Sequence, residues 1–523
     1  MNRLSHPGLL LLCLAWLLPG LIGHNPWKGD DGAGFARLYT LIQTGDWVAP
    51  ALDGGHFPPL YFWLTAATAW LTSPLLTLHD GARLASGVFV ALALFFTART
   101  AHELLGPEHA WAAVLTLLGS LGLLLGGHVL NPYTAQLAGV AIALYGLARL
   151  PKDYRGGWAV AAGLVVMLLA TGVMEPLLLA ALALILVPLS RAYRTPAARR
   201  GLTLALSLTV LAGALWIALL WARRIPLDAA LQLNRWPGLS EAGKMRPLFF
   251  PSILAWYAWP AWPLAGWGLY SARRHWREPA TLLPLLTLAL LIVLFSVSAN
   301  PDDSKGLALL VPMALLGAAG LSILRRGAAS ALLWFGVMLF GFLALVTWVY
   351  WSAYDLGLPA QLARRLTRLG VTGVGELRPW TLFLGVLVSI AWMVFLGRMQ
   401  RSALRPMLAW SAGLAFVWVL LHILVLEPLD QRRSYASVGR ALQAEIPDHA
   451  CVGTRGIRAQ QRILLGYHSG RTLRGDETQE CRWLLVQVNR RTAVTVPACG
   501  WVKLWEGARP GDRDDRFFLY GKK

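Results

Sequence analysis

The chain has 523 residues, of which 56% are hydrophobic and only 14% are charged, and its mean hydropathy is +0.52. Soluble domains carry about 25% charged residues, so this composition excludes a soluble globular protein and indicates a polytopic membrane protein. The formal net charge of +20 would suit a nucleic-acid-binding protein. The arginines and lysines, however, lie mostly in short loops between apolar segments, where they set membrane orientation. We therefore expect no nucleic-acid partner.

Apolar segments of about 20 residues recur along the chain, and each is long enough to cross about 30 Å of hydrocarbon. The N-terminal apolar segment lacks a clear small-x-small cleavage site. We therefore expect a retained signal-anchor span instead of a cleaved signal peptide. Fourteen candidate spans lie near residues 8–22, 58–72, 83–98, 111–127, 133–150, 157–170, 176–190, 201–221, 253–271, 280–298, 306–324, 328–350, 379–397 and 406–426.

Arginine-rich loops indicate the topology, because positively charged loops stay in the cytoplasm. Counting back from the basic loop 398–405 places the C-terminal tail outside, and counting forward from a cytoplasmic N-terminus places the loop 23–57 outside as well. The two counts disagree between residues 58 and 150, where one candidate must be re-entrant, short or fused with its neighbour. The predicted fold is therefore an all-α polytopic membrane protein with about thirteen transmembrane helices. The other loops predicted to be cytoplasmic are 191–200, 273–277 and 325–326, and the other external loops are 128–132, 171–176, 222–252, 299–305 and 351–378.

The tail after the last span has a different composition, so we divide the chain into a membrane domain, 1–426, and an extracytoplasmic α/β domain, 427–523. A helical pattern at 433–447 precedes short apolar runs between charged turns. If the tail is outside, two of its three cysteines could form a disulfide, although the sequence does not say which. The cysteines are Cys451, Cys481 and Cys499, and the predicted strands are Cys451–Thr454, Arg462–Tyr467, Trp483–Val488, Trp501–Leu504 and Phe517–Tyr520.

The first external loop carries two adjacent carboxylates, Asp30 and Asp31, followed by the helically spaced run F-A-R-L-Y-T-L-I. Asp next to Gly is common in turns, so the pair could lie in a solvated loop, or it could simply cap an interfacial helix. Alternatively, the carboxylates face the membrane surface, where a lipid-borne substrate would arrive. Later in the loop, G-G-H-F-P-P-L-Y-F-W fixes the backbone before the next span and places His56 at the interface. His56 could be a ligand, a proton carrier or an interfacial aromatic residue.

Two further external positions could serve a reaction. Lys305, in N-P-D-D-S-K-G, precedes a span and could bind a phosphate with help from the helix N-terminus. Asp302 and Asp303 could equally neutralise it. Glu175, in A-T-G-V-M-E-P, is the remaining acid near an external membrane face, where a functional role and a helix-boundary role are both open.

The order of these features resembles the GT-C class of membrane glycosyltransferases, in particular the bacterial aminoarabinose transferase and protein O-mannosyltransferase-like family. The resemblance rests on a first span, the acidic loop, T-G-D-W-V-A-P-A-L-D-G and P-P-L-Y-F-W, and is strongest over residues 24–66. It continues more weakly through 296–312 and 434–446. A small external α/β domain after the last span also fits the aminoarabinose transferases.

The resemblance implies a glycosyltransferase that moves a sugar from undecaprenyl phosphate to an acceptor on the external face. Asp30 matches the family's candidate acid/base, and Asp31 stands where the family has Glu. The implied mechanism is an inverting transfer in which Asp30 takes the proton of the acceptor hydroxyl. Asp31 or His56 would orient the acceptor, or hold a divalent metal ion if one is used. The other implied roles are phosphate binding by Lys305, Lys28 and Arg37, and orientation of substrate by His56 and Glu175.

Several positions depart from the family pattern. Ala33 replaces the Arg of the Asp-Glu-x-Arg motif, and His56–Phe57 replaces Glu-Lys before the two prolines. Ser304–Lys305–Gly306 retains one lysine, whereas Thr171–Gly172 corresponds to the family's Lys-Gly-Pro element without its lysine. The loss of cationic groups leaves open an unusual donor or acceptor, or a site that has lost activity.

Two other functions compete with sugar transfer. A transporter or flippase for lipid-linked sugars would carry ionisable residues along a path within its spans, whereas the carboxylates here gather in the external loops. A catalytically silent scaffold with a GT-C shape would use its external domain to bind a partner. For a transferase, the partners are a polyprenyl-phosphate sugar, a lipid or glycan acceptor and membrane lipid. The Leu-, Ala- and Arg-rich composition and the lack of organelle signals suggest a bacterial inner membrane, with the site facing the periplasm.

Overall fold

The computed structural model describes residues 6–235, 246–299, 301–475, 481–489, 500–512 and 514–522. Within these residues, seven helices are long and apolar enough to cross a membrane, and three shorter apolar helices accompany them. The helices are α1 (His6–Leu17), α2 (Asp30–Thr44), α3 (Leu60–Thr72), α4 (Leu78–Leu105), α5 (Ala110–Leu118), α6 (Leu121–Gly126), α7 (Tyr133–Arg149), α8 (Gly156–Thr171), α9 (Met174–Leu189), α10 (Pro196–Ala222), α11 (Leu227–Ala230), α12 (Phe249–Tyr257), α13 (Ala261–Ser271), α14 (Pro279–Ser296), α15 (Leu307–Ser322), α16 (Arg326–Asp355), α17 (Ala360–Arg368), α18 (Pro379–Arg398), α19 (Arg405–Leu424), α20 (Leu426–Arg433), α21 (Ala436–Glu445) and α22 (Ala459–Ser469). The strands are β1 (Ala51–Leu52), β2 (Gly55–His56), β3 (Cys451–Arg455), β4 (Thr472–Arg474), β5 (Trp483–Asn489), β6 (Trp501–Ala508) and β7 (Asp515–Lys522).

Each of the fourteen predicted spans coincides with one helix or with a broken pair, so the chain is a multi-pass membrane protein of mainly α structure, as predicted. Two spans are interrupted. The first breaks at Gly119–Ser120 between α5 and α6, and the second breaks before α13, where Pro260 has no backbone N–H to continue a helix. Helix α15 lies at the centre of the bundle, where it is almost fully buried against α4, α5, α7, α13 and α14.

Helix α3 resolves the disagreement in the topology count, because it begins and ends on the same side of the membrane domain. The hydroxyl of Tyr61, in its first turn, is hydrogen-bonded to the Ser86 hydroxyl of α4 at 2.7 Å. Its last residue, Thr72, packs against Gly81 near the start of α4. There Asp80 accepts a hydrogen bond from the backbone N–H of Gly23, in the loop that precedes α2. Without α3, thirteen of the fourteen candidate spans remain, and seven of the described helices are long and apolar enough to cross a membrane on their own.

The C-terminal residues form a small α/β domain around a five-stranded sheet of order β4-β3-β5-β7-β6. Strand β3 is parallel to β4 and β5, and β7 is antiparallel to β5 and β6. A disulfide joins Cys451 and Cys481, whereas Cys499 lies outside the described residues. Helix α20 begins at the proposed domain boundary.

The prediction of a strand at Arg462–Tyr467 is wrong, because these residues belong to α22. A run of six residues does not by itself distinguish a strand from a buried helical turn. The side chain of Gln461 accepts a hydrogen bond from the backbone N–H of Arg458 and so caps the helix, while Leu464 and Leu465 are buried. The other four predicted strands and the helix near 434–446 are present.

Candidate active site

The two adjacent carboxylates occupy the first turn of α2, which begins directly after Gly29. Gly29 has a φ of 110°, in the region that favours glycine. Neither carboxylate caps the helix through a side-chain hydrogen bond, although negative charge in a first turn favours the helix dipole. Asp31 is buried, whereas Asp30 is exposed on its outer side. Successive helical positions thus point the two groups into different surroundings.

Asp31 lies in a polar network inside the protein. It forms an ion pair with Arg83 of α4, with 3.1 Å between Nε and Oδ1, and it accepts backbone N–H hydrogen bonds from Trp27 and Leu130 at 2.9 and 3.0 Å. Burial alone would raise the pKa of Asp31, but the charge and hydrogen bonds of Arg83, together with the hydrogen bond from the Leu130 backbone, hold this pKa below its usual value. Asp31 therefore joins α2 to α4 and to the loop before α7.

The metal site considered from the sequence, Asp31 with His56, does not fit this geometry. The oxygens of Asp31 already accept hydrogen bonds from Arg83 and from backbone N–H groups, and the arginine neutralises the charge. Among the residues that the structure describes, no group of three or more His, Cys, Asp or Glu side chains is spaced to hold a metal ion.

Asp30 faces the loop before α15. The hydroxyl of Ser304 donates a hydrogen bond to its Oδ2. Partial burial raises the pKa of Asp30, the negative charge of Asp302 raises it further, and the hydrogen bond from Ser304 opposes both effects. A carboxylate with a raised pKa that is still open to solvent is suited to accept a proton from an arriving hydroxyl group.

Next to Asp30 lies a cavity of about 400 Å³. Three of its lining residues are cationic and one is acidic, so the cavity favours an anion. Its lining residues are Arg37, Gly55, His56, Phe57, Tyr133, Gln232, Arg235, Ala299, Asp302 and Lys305.

The guanidinium groups of Arg37 and Arg235 both lie over the ring of Phe57, at 4.2 and 4.7 Å from its centroid. Arg235 donates a hydrogen bond of 3.0 Å to the Tyr133 hydroxyl. Arg37 pairs with no acid in the described part of the chain, and its buried Nε has no hydrogen-bond partner there. Burial and the charge of Arg235 lower the pKa of Arg37 to about 10, so Arg37 stays charged at neutral pH. Buried charges are normally paired, so this arrangement favours binding of an anion.

Lys305 lines the same cavity from the start of the central helix. Its ammonium group donates to the Ser298 hydroxyl at 2.8 Å and to the Ala299 carbonyl at 3.3 Å. Glu175 is buried close enough to Lys305 and Arg235 to interact electrostatically with both, but it does not line the cavity. Glu175 thus lies within electrostatic reach of the cations without lining the cavity.

His56 lines the cavity through the short hairpin of β1 and β2. Its Nδ1 lies 3.0 Å from the Ala49 carbonyl oxygen, and since a carbonyl can only accept, Nδ1 carries the proton. The side chain of Gln232 donates to the His56 carbonyl at 2.6 Å. The ring orientation is therefore fixed by the hairpin itself.

Lys28 is the predicted phosphate ligand that the structure places elsewhere. Its ammonium group pairs with Asp515 of the C-terminal domain at 2.9 Å, and Lys28 is absent from the cavity lining. Its contact thus holds the C-terminal domain against the start of α2.

Three residues of this region were not predicted from the sequence. Arg235 lies in a segment with no recognisable motif and Tyr133 begins α7, and only the fold brings Arg235 to Tyr133 and Phe57. Arg83 did carry a signal, because an arginine within an apolar span usually has a partner or a function.

Comparison with known proteins places this geometry in context. No protein-family model matches the chain, and no curated protein matches it. The crystal structure of ArnT from Cupriavidus metallidurans bound to undecaprenyl phosphate has a TM-score of 0.72 with 15% identity, over 98% of each chain. The apo form of that protein gives 0.71 with the same identity and coverage. AglB, an archaeal oligosaccharyltransferase from Archaeoglobus fulgidus in complex with an inhibitory peptide and a dolichol-phosphate, has a TM-score of 0.49 with 10% identity, over 92% of this chain and 69% of that one.

This chain has the fold of ArnT. The match covers nearly the whole of both chains, so it includes the membrane domain and the C-terminal domain together. The GT-C fold predicted from the first external loop is confirmed. At 15% identity the likeness concerns the fold, and the chemistry has to be argued from the residues of this chain.

Proposed function

We propose that the protein is an integral membrane glycosyltransferase that moves a sugar from a polyprenyl-phosphate donor to a hydroxyl acceptor. The observation that carries this proposal is the pairing of Asp30, an exposed carboxylate with a raised pKa, with a neighbouring cavity lined by three cations. A sugar transfer of this kind needs both parts, a base for the acceptor and positive charge for the leaving phosphate.

The cavity would hold the donor phosphate. Arg37, Arg235 and Lys305 approach it from three separate segments, and Asp302 is the only acid among the described residues that line it. Guanidinium groups bind phosphate through two parallel hydrogen bonds, and a lysine adds a point charge. Undecaprenyl phosphate is the ligand of the ArnT crystal structure with this fold, which supports a polyprenyl phosphate as the donor here.

Arg235 can replace the positive charge of the lysine that the family has and this chain lacks. The family resemblance places that lysine at Phe57, whose ring carries no charge. The guanidinium of Arg235 reaches the ring of Phe57 from another loop, as does that of Arg37 on its own helix. The positive charge expected at this place is thus supplied by other segments, which supports an active site over a degenerate one.

In the proposed reaction, the acceptor hydroxyl oxygen attacks the anomeric carbon while Asp30 takes its proton. The bond between the anomeric carbon and the phosphate oxygen breaks, and the electron pair leaves with the polyprenyl phosphate. The three cations stabilise the charge that develops on this leaving group. Attack from the side opposite the phosphate inverts the anomeric configuration. Asp31 and Lys28 hold α2 in place, and His56 contributes to the wall of the donor cavity.

The proposal also covers the acceptor and the side of the membrane that the site faces. A lipid A-like lipid, a glycan and a protein hydroxyl group all present the required nucleophile. The Cys451–Cys481 disulfide supports an oxidising compartment for the C-terminal domain. The charge pattern of the opposite loops supports a cytoplasmic location for them, so the site would face the periplasm of a bacterial inner membrane.

Incubation of the purified protein with undecaprenyl-phosphate sugars labelled in the sugar, together with cell-envelope extract, tests the proposal. We expect label to move to an acceptor and unlabelled undecaprenyl phosphate to be released. Donor that binds but stays intact would contradict transfer and favour a transporter or a silent scaffold. Reconstituted vesicles distinguish these two, since only a transporter moves the label across the bilayer.

A further inference from the structure

Helix α17 presents a cationic surface at the membrane boundary, beside the site but separate from it. The basic face, as we call it, consists of Arg364, Arg365 and Arg368, all of which are exposed. At 100° per residue, these three side chains fall within one sector of the helix. None of them forms an ion pair with a residue that the structure describes, whereas the nearby Arg378 pairs with Asp355.

The opposite face of α17 is already covered. Ala363 and Leu366 are buried, and Leu366 packs with Tyr354 and Val371 at the end of α16. The hydroxyl of Tyr354 also donates to the Thr372 carbonyl at 3.0 Å. Because these contacts fix the rotation of the helix, the arginines are directed outward.

The position of α17 places this basic face at the lipid headgroups. It lies between the ends of α16 and α18, whose side chains are largely exposed, as expected for contact with lipid. Apolar side chains flank the helix at this level: Leu358 is 62% exposed, Leu377 51% and Trp380 57%. Exposed tryptophan and leucine beside arginine are typical of the boundary between hydrocarbon and headgroups.

The same segment belongs to the side of the membrane that carries the cavity. The backbone N–H of Thr372 donates to the Gln431 side chain at 2.9 Å, which ties the α17 segment to α20, directly before the C-terminal domain. Glu376 is the one exposed acid between α17 and α18, so the segment keeps a net positive charge.

We propose that the basic face binds the anionic headgroups of lipids in the leaflet on the site side. Its charge and its apolar flanks match a phosphate group anchored by acyl chains. Such lipids would fix the position of α16 and α18 along the membrane normal. Through the contact with Gln431, they would also fix the position of the C-terminal domain relative to the membrane. This inference is independent of the proposed transfer reaction, because it concerns binding of bulk lipid only.

The test uses the purified full-length protein in detergent, titrated with phosphatidylglycerol or phosphatidylcholine and followed by native mass spectrometry. In Arg364→Gln/Arg365→Gln/Arg368→Gln, we expect the apparent affinity for phosphatidylglycerol to fall by about tenfold, with phosphatidylcholine binding unchanged. Glutamine is a good helix former, so α17 should persist. Replacement of the three arginines by lysine should retain most of the affinity, and it provides a folded reference if the glutamine variant is unstable.

A matched control removes three exposed arginines from the C-terminal domain, in Arg440→Gln/Arg474→Gln/Arg482→Gln. This control should bind phosphatidylglycerol as the wild type does. Equal binding by the wild type and the α17 variant would overturn the proposal, as would an equal loss in the control. Loss of affinity in the lysine variant would also contradict it.

Discussion

Asp30 and Asp31 have different surroundings although they are adjacent. Asp31 is buried in an ion pair with Arg83, which keeps its carboxylate charged. Asp30 lies beside Asp302, which disfavours its charged form, and near Arg37, which favours it. Asp31 therefore stabilises the structure, whereas Asp30 is available for proton transfer.

The acid limb of the pH profile tests the electrostatic environment of Asp30. As the pH falls through the pKa of Asp30, the base becomes protonated and transfer should decline. Asp302→Asn removes a neighbouring negative charge and should lower this pKa, so the acid limb should move to lower pH. Rates of sugar transfer between pH 4 and pH 8, roughly the range around carboxyl pKa values, would show the shift. Asp228→Asn removes an exposed acid elsewhere on the chain and should leave the profile unchanged. An unmoved acid limb in Asp302→Asn would contradict the account.

Removal of the Arg235 guanidinium should weaken donor binding. Arg235→Gln would leave Arg37 and Lys305 in the cavity, and the loss of one charge-assisted phosphate contact should raise the donor KM by about tenfold or more. Initial rates measured against donor concentration would check this result. Arg223→Gln, which neutralises an exposed arginine at the end of α10, is the matched control. Equal KM values for Arg235→Gln and the control would show that Arg235 does not contact the phosphate.

At the level of elements, the C-terminal domain and α20 hold the start of α2. Asp430 accepts hydrogen bonds from the backbone N–H and side chain of Asn25, at 3.0 and 2.6 Å, and from the indole N–H of Trp27 at 2.9 Å. The side chain of Gln460, on α22, donates to the carbonyl of Gly29, the residue before Asp30, at 2.9 Å. The position of Asp30 therefore depends on contacts with residues that follow the last span.

Asp430→Ala should disturb this arrangement, because three donors in residues 25–27 would lose their acceptor. We expect faster hydrogen exchange across residues 24–30 and a lower kcat. The donor KM should change little, because Arg235 and Lys305 belong to other segments and Arg37 lies about two turns beyond the start of α2. Hydrogen exchange followed by mass spectrometry and steady-state rates would measure both effects. Glu445→Gln, on the exposed side of α21, should change neither. Wild-type exchange in Asp430→Ala would refute the positioning role.

Over the whole molecule, the sequence indicated the fold better than the site. The length of the apolar segments predicted the spans, because lipid imposes a minimum helix length. The disagreement between the two topology counts predicted that one candidate does not cross, but it did not identify α3 as that candidate. Asp30, Arg37, His56 and Lys305 were also proposed from the sequence, since each lies in an external segment with a recognisable pattern. Arg235 was not, because its approach to Phe57 depends on tertiary packing between distant loops. For the same reason, the pairing of Lys28 with Asp515 could not be read from the sequence.

The central claim is that Asp30 acts as the base beside a phosphate-binding cavity. The most direct measurement compares sugar transfer and donor binding in the wild type, Asp30→Asn and Asp46→Asn, a variant of another acid in the same loop. We predict that Asp30→Asn binds the labelled donor and remains folded but transfers at least about a hundredfold more slowly, while Asp46→Asn transfers at the wild-type rate. Wild-type transfer by Asp30→Asn would contradict the claim.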